Sequence, residues 1–123
     1  MTEAKIAPIC YIEIPSPDPP QSAAFYRAVF GWTAEPSALS QSRYWMFQTG
    51  KGQLTGGFDA SKQVQENGIV LYISVDDIDL SLKAVGSSGG TVVTAKESIG
   101  GGYGFTAMFK DPHGNLIGLF ASK

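Results

Sequence analysis

The chain has little of what metal and redox chemistry usually require. Its 123 residues contain one cysteine and one histidine. A single cysteine makes no internal disulfide, and one Cys with one His makes no all-Cys/His zinc site or iron–sulfur cradle within one chain. Positive charge is sparse too: the nine Lys and Arg residues never stand side by side, and the net charge is −2. Nucleic-acid binding needs a clustered basic face, and none is readable. No apolar run approaches the roughly 18 residues of a membrane span. Met1 to Lys5 lacks the basic and apolar regions of a secretory signal. These absences point to a cytoplasmic protein with no nucleic-acid or membrane partner.

What the chain does have is a core. Hydrophobic residues make up 43% and charged ones 16%, the balance of one ordinary globular domain, here residues 1–123. Glycine, at 15 residues, exceeds the usual roughly 7% and predicts many tight turns.

Ile9 to Ile14 reads as a strand. Asp18 then caps a helix, with Pro19 at its first position and Gln21 as capping partner. Phe25, Tyr26, Val29 and Phe30 recur at helical spacing, and Gly31 stops the helix. Three further strands are read over Trp32 to Glu35, Tyr44 to Thr49 and Gln53 to Phe58, the last weakened by Gly56 and Gly57. The same order returns. Ile69 to Val75 is a strand. Asp76-Asp77 offers a cap, and Ile78, Leu82 and Val85 form a helical core stripe. Strands follow over Thr91 to Lys96, Tyr103 to Lys110 and Leu116 to Phe120. The first module runs over about 8–58, a connection over 59–68, and the second module over about 69–121. Ile12 aligns with Val70 at an offset of 58, good to a residue or two. A repeated unit of this size cannot close a core alone.

The Phe25-Tyr26-Arg27-Ala28-Val29-Phe30-Gly31-Trp32 segment resembles the "FY…vFGW" element of the vicinal oxygen chelate superfamily. That group holds glyoxalase I, bleomycin-resistance proteins and extradiol dioxygenases. Leu71 to Asp77 is similar to the start of the family's second module, and Asp111-Pro112-His113-Gly114-Asn115-Leu116-Ile117 to its "DP-x-GN-x-i" ending. The resemblance spans Ile9 to Phe120. It implies an α+β fold: two βαβββ modules forming a curled mixed sheet around a cleft, commonly completed by a homodimer.

Catalytic members hold a divalent metal through two His and a Glu, sometimes with a further Glu. Carried over by motif register, the first His position falls on Tyr11, the second on Val70 and the Glu on Gly118. A fourth ligand would lie near Thr55 or Gly56. Val70 and Gly118 offer no side-chain donor, so we expect no metal and no other cofactor.

Strand alternation places Cys10, Ile12 and Ile14 on one face of the first strand, and Tyr11 and Glu13 on the other. Cys10 has no basic neighbour to activate it and reads as a buried, inert thiol. Glu13 has two readings. Burial on a cleft wall would raise its pKa toward acid/base use, with Tyr11 as a partner. Alternatively it pairs with a Lys or Arg, or with backbone. His113 reads as an exposed turn residue, since turn chemistry accounts for Asp111, Pro112 and Gly114. Gly100-Gly101-Gly102 is either a flap or a plain hairpin connection.

Aromatic residues are dense, and those on the cleft face would line a small-molecule pocket. From strand positions, candidate ligand contacts in the first module are Tyr11, Glu13, Trp45 and Thr55. In the second they are Val70, Tyr72, Ser74, Tyr103, Phe105, Gly118 and Phe120. The expected function is metal-independent binding of a small, partly aromatic organic molecule. The alternative is a glyoxalase I-related lyase or isomerase, with Glu13 as base and Tyr11 or Tyr72 as proton donor. A third reading is a structural dimer whose cleft is filled by side chains.

Overall fold

The computed structural model describes residues 6, 9–38, 43–64 and 68–123. The stretch left between the strands read over 32–35 and 44–49 and the connection over 59–68 fall in part outside those residues, as does the module start at 8. The first module contains β1 (Tyr11–Pro15), α1 (Pro19–Phe30), β2 (Thr33–Pro36), β3 (Tyr44–Gln48) and β4 (Thr55–Asp59). The second contains β5 (Leu71–Ser74), α2 (Ile78–Ser87), β6 (Thr91–Ser98), β7 (Phe105–Lys110) and β8 (Leu116–Ala121).

Local chemistry sets the helix ends. The Gln21 backbone N–H donates to Asp18 Oδ1 at 3.2 Å, and prolines open α1, where their missing N–H groups cost nothing. Gly31, at φ 74°, takes the left-handed turn that lets its N–H reach the Arg27 carbonyl at 2.9 Å. Asp77 caps α2 by accepting from the Leu80 N–H at 3.0 Å. Ile78, Leu82 and Val85 are buried as their spacing predicts.

The strands form two four-stranded mixed sheets, ordered β1-β4-β3-β2 and β5-β8-β7-β6. In each, the outer first strand is parallel to its neighbour and the other pairs are antiparallel. The repeat is therefore real at the level of hydrogen bonding. At the ends of the parallel pairs, the Ser16 N–H donates to the Asp59 carbonyl at 3.0 Å and the Val75 N–H to the Phe120 carbonyl at 2.9 Å. Those equivalent bonds set the module offset at 59 (75 − 16) rather than 58, and make Tyr11 the counterpart of Val70.

One core serves both modules. Tyr26 stacks on Trp32 with centroids 4.8 Å apart, and Trp32 on Phe47 at 4.9 Å. Phe25 and Phe30 of the same helix reach Phe109 of the second sheet at 6.1 and 5.8 Å. The Tyr26 hydroxyl donates to buried Asp111 at 3.1 Å. Asp111 also accepts the His113 and Asn115 backbone N–H groups at 3.0 and 2.9 Å. Asn115 Nδ2 donates both to Asp111, at 2.8 Å, and to the Pro15 carbonyl, at 2.7 Å. The Asp-Pro-His-Gly-Asn turn is thus a clamp between the modules.

Two expectations are corrected. Cys10 is exposed, because the ladder begins at Tyr11 and, among the described residues, no strand pairs with the residue before it. His113 is half-buried, with its Nε2 out of solvent contact, rather than exposed. The Asp111 clamp draws the turn inward.

Candidate functional site

Each sheet has one face packed on the core. In the first sheet that face carries Ile12, Ile14, Phe47 and Phe58. Register puts Tyr11 beside Thr55, and Glu13 beside Gly57 and then Met46, so these residues share the opposite face. It is open: Tyr11 is 39% exposed and Met46 48%.

Gly57 organises this face. A Cβ at Gly57 would overlap the Tyr44 ring and hydroxyl. The missing side chain lets the Tyr44 ring lie across β4 toward β1, the close approach that glycine in a strand permits. There the Tyr44 hydroxyl donates to Glu13 Oε2 at 2.8 Å and stands 2.8 Å from the Tyr11 hydroxyl. Lys62 Nζ lies 4.0 Å from Glu13 Oε1. Desolvation, with the hydrogen bonds to Tyr11 and Glu13, pushes the Tyr44 phenol well above its ordinary pKa. Of the two readings of Glu13, its partial exposure and Lys62 match pairing rather than burial.

The second sheet has a matching open face. Tyr72 pairs with Gly118, and Ser74 with Phe120. A Cβ at Gly118 would sit 2.5 Å from Tyr72 Cδ2 and Cε2, so the ring lies directly on the glycine. Met108 and Thr106 of β7 pair with Gly118 and Phe120 and extend the face. Val70, half-buried, stands just before β5.

The family's metal does not fit these residues. Tyr11 offers a phenol that is hydrogen-bonded to another phenol, Val70 offers nothing, and the space a ligand at Gly118 would use holds the Tyr72 ring. Among the described residues no group of three or more His, Cys, Asp or Glu could hold a metal ion.

Trp45 and Phe105 stand apart from the open faces. Both pack against the core, because alternation puts Trp45 opposite Tyr44 and Met46, and Phe105 on the face of Ala107 and Phe109. Lys96 Nζ covers the Phe105 ring at 4.5 Å. Tyr103 stands 76% exposed beside the β6–β7 turn. That turn is a hydrogen-bonded hairpin connection, with the Tyr103 N–H on the Gly100 carbonyl at 3.1 Å. Gly100, Gly101 and Gly102 all have positive φ, between 61° and 89°, which glycine alone adopts freely. Tyr44, Met46 and Lys62 were absent from the expected set. The paired glycines at Gly56 and Gly57 were the available signal for Tyr44, since glycine inside a strand marks a large close neighbour.

Between the modules lies a cavity of about 520 Å³, walled by Ile12, Phe30, Trp32 and Phe47 on one side and by Leu71 and Ile73 on the other, with Tyr72 and Ser74 also in its lining. That volume suits a ring-sized molecule. An apolar groove of about 790 Å³ runs alongside, past Ile9, Ile12, Ile69, Leu71 and Leu116. Both follow β1 and β5, and among the described residues each of these strands is paired on one side only. No helix among the described residues is long and apolar enough to cross a membrane.

The comparisons with known proteins agree with this architecture. The family model of a glyoxalase-like domain matches residues 11–120. A glyoxylase-like domain-containing protein of Didymella fabae is 30% identical over 110 residues, covering 85% of each chain. A glyoxalase/bleomycin resistance protein/dioxygenase family enzyme from Burkholderia phytofirmans superposes with a TM-score of 0.75 at 19% identity, covering 92% of this chain and 97% of that one. The fosfomycin resistance protein FosX of Listeria monocytogenes gives 0.76 at 18% identity, covering 95% and 94%. At those identities the structures speak for the fold. The chain belongs to the glyoxalase-like domain family, within the vicinal oxygen chelate superfamily.

Proposed function

We propose that this protein binds a small, partly aromatic organic molecule without a metal, against the open faces of its two sheets. Tyr11, Glu13 and Thr55 would contact it from the first module, and Val70, Tyr72, Ser74, Gly118 and Phe120 from the second. The observation that carries the reading is the Tyr72 ring on Gly118. It replaces a metal-ligand position with an exposed aromatic platform of the kind that stacks on a ring. We further propose a cytoplasmic homodimer joined along the free edges of β1 and β5, where Ile9 and Ile69 stand exposed. Native mass spectrometry of the purified protein tests this reading. Two chains without stoichiometric metal, taking up a small aromatic ligand, support it. One divalent ion per chain contradicts it.

A second reading, a lyase or isomerase, draws support from the link between Glu13 and Tyr11 through Tyr44. Glu13 would take a proton from a carbon next to a carbonyl, and Tyr11 or Tyr72 would return one. Glu13→Gln would then abolish turnover, and unchanged turnover removes Glu13 from the chemistry.

A further inference from the structure

We infer that the Tyr11–Tyr44–Glu13 chain on the open face of the first sheet accepts a hydrogen bond at its exposed end and has no proton left to donate, so that it selects an aromatic ligand carrying a hydrogen-bond donor, a protonated amine above all. The inference rests on the binding reading given above and adds the ligand's chemistry to it.

Glu13, Tyr44 and Tyr11 share two phenolic protons. An ionised carboxylate only accepts, and a phenol has one proton to give. Tyr44 gives its proton to Glu13 Oε2. The 2.8 Å contact between the two hydroxyls then has to be filled by the proton of Tyr11. Tyr11 Oη therefore ends the chain with free lone pairs and no proton left. The Tyr11 side chain is also the exposed end, at 39%. Tyr44 holds its proton far past neutral pH, so the direction does not reverse.

Charge points the same way. Each link leads back to the Glu13 carboxylate, and a bond that ends on an ionised acceptor is stronger than a neutral one. Lys62 lies 4.0 Å from Glu13 Oε1, too long for a hydrogen bond, and its side chain is 54% exposed. It leaves much of that charge uncompensated. The Tyr11 ring and Met46 offer a soft, polarisable surface beside the acceptor, which suits a cation. A carboxylate or phosphate would meet the lone pairs of Tyr11 and gain no bond from this chain.

Isothermal titration of the full chain at pH 7 with three matched probes tests this: 2-phenylethylammonium, 2-phenylethanol and 3-phenylpropionate. The ammonium should bind tightest and the propionate weakest, with a ratio of about tenfold or more between them. Tyr11→Phe should shrink that ratio to about threefold or less, because the acceptor is gone. Tyr44→Phe should improve binding of the propionate, because Tyr11 regains a proton to donate. If the wild type binds propionate as tightly as the ammonium, or if Tyr11→Phe keeps the full ratio, the inference fails while the binding reading stands. If none of the three probes saturates, the binding reading fails and takes the inference with it.

Discussion

The ring of Tyr72 occupies the space that a side chain at Gly118 would need, with Cδ2 and Cε2 both 2.5 Å from the missing Cβ. The relationship is one of sequence as much as of space, since parallel pairing of β5 with β8 sets the two residues side by side. It leaves the Tyr72 ring lying across β8 at Gly118.

Gly118→Ala should therefore cost little stability, because Tyr72 is 55% exposed and its ring can swing outward. The same change at Gly56 should cost more. There a Cβ would meet the Ile12 carbonyl and the buried Phe47 ring, and neither can give way. Overpacking of that kind costs about 1–3 kcal/mol. Urea denaturation of both variants measures the difference, and equal losses would contradict the placement of Tyr72.

Asp111 should be the most sensitive polar residue in the fold. Asp111→Ala strands the Tyr26 hydroxyl, two backbone N–H groups and one of the two Asn115 amide protons, the other keeping the Pro15 carbonyl. Each buried group left unsatisfied costs about 1–3 kcal/mol. Tyr26→Phe alone should cost about 1 kcal/mol, and much less once Asp111 is already Ala. A double-mutant cycle by chemical denaturation reads this coupling. Strictly additive losses would mean that the clamp does not join the modules.

Two of the five tyrosines should resist ionisation. Burial, together with the charge and hydrogen bond of Asp111, raises Tyr26; desolvation with the hydrogen bonds to Tyr11 and Glu13 raises Tyr44. Since both folded pKa values lie above the unfolded value of about 10, their contribution to stability is full below that pH. It is lost as pH climbs toward the folded values. A spectrophotometric titration should show two phenols lagging in the folded protein, and one in Tyr44→Phe. Five phenols ionising together would contradict it.

Acid should weaken the protein partly through Asp59. Burial alone would raise its pKa, but hydrogen bonds from the Ser61 hydroxyl and N–H, at 2.7 and 2.9 Å, and the charges of Lys62 and Arg43 outweigh it and lower the value. A lowered carboxylate contributes stability above its unfolded pKa of about 3.9 and loses it as pH falls through the folded value. Asp59→Asn should thus lower stability at neutral pH and flatten the acid limb of the stability profile. An unchanged acid limb would remove Asp59 from that role.

The parts of the fold that sequence made legible were local. Asp18 and Asp77 cap helices through bonds three residues away, and Ile78, Leu82 and Val85 share a face through helical spacing alone. Motif register and the hydrogen-bond offset of 59 agree in making Tyr11 and Val70 equivalent positions of the two modules. What lay beyond reach depended on pairing across the sheet. Tyr44 meets Tyr11 only because β4 lies between their strands and has glycine at 57, a contact 33 residues apart in the chain. Trp45, its neighbour, alternates to the other face and packs against the core. Cys10 is exposed because β1 begins at Tyr11, two residues after the start that the apolar run suggests.

Binding of an aromatic molecule to the open faces, as proposed, needs no metal. A ¹H–¹⁵N correlation titration of EDTA-treated protein with 2-phenylethylammonium checks this. Saturable shifts are expected around Tyr11, Tyr44, Tyr72 and Gly118, unchanged when Mn²⁺ or Zn²⁺ is added. Shifts that are absent until a divalent ion is restored, or that never saturate, would contradict it.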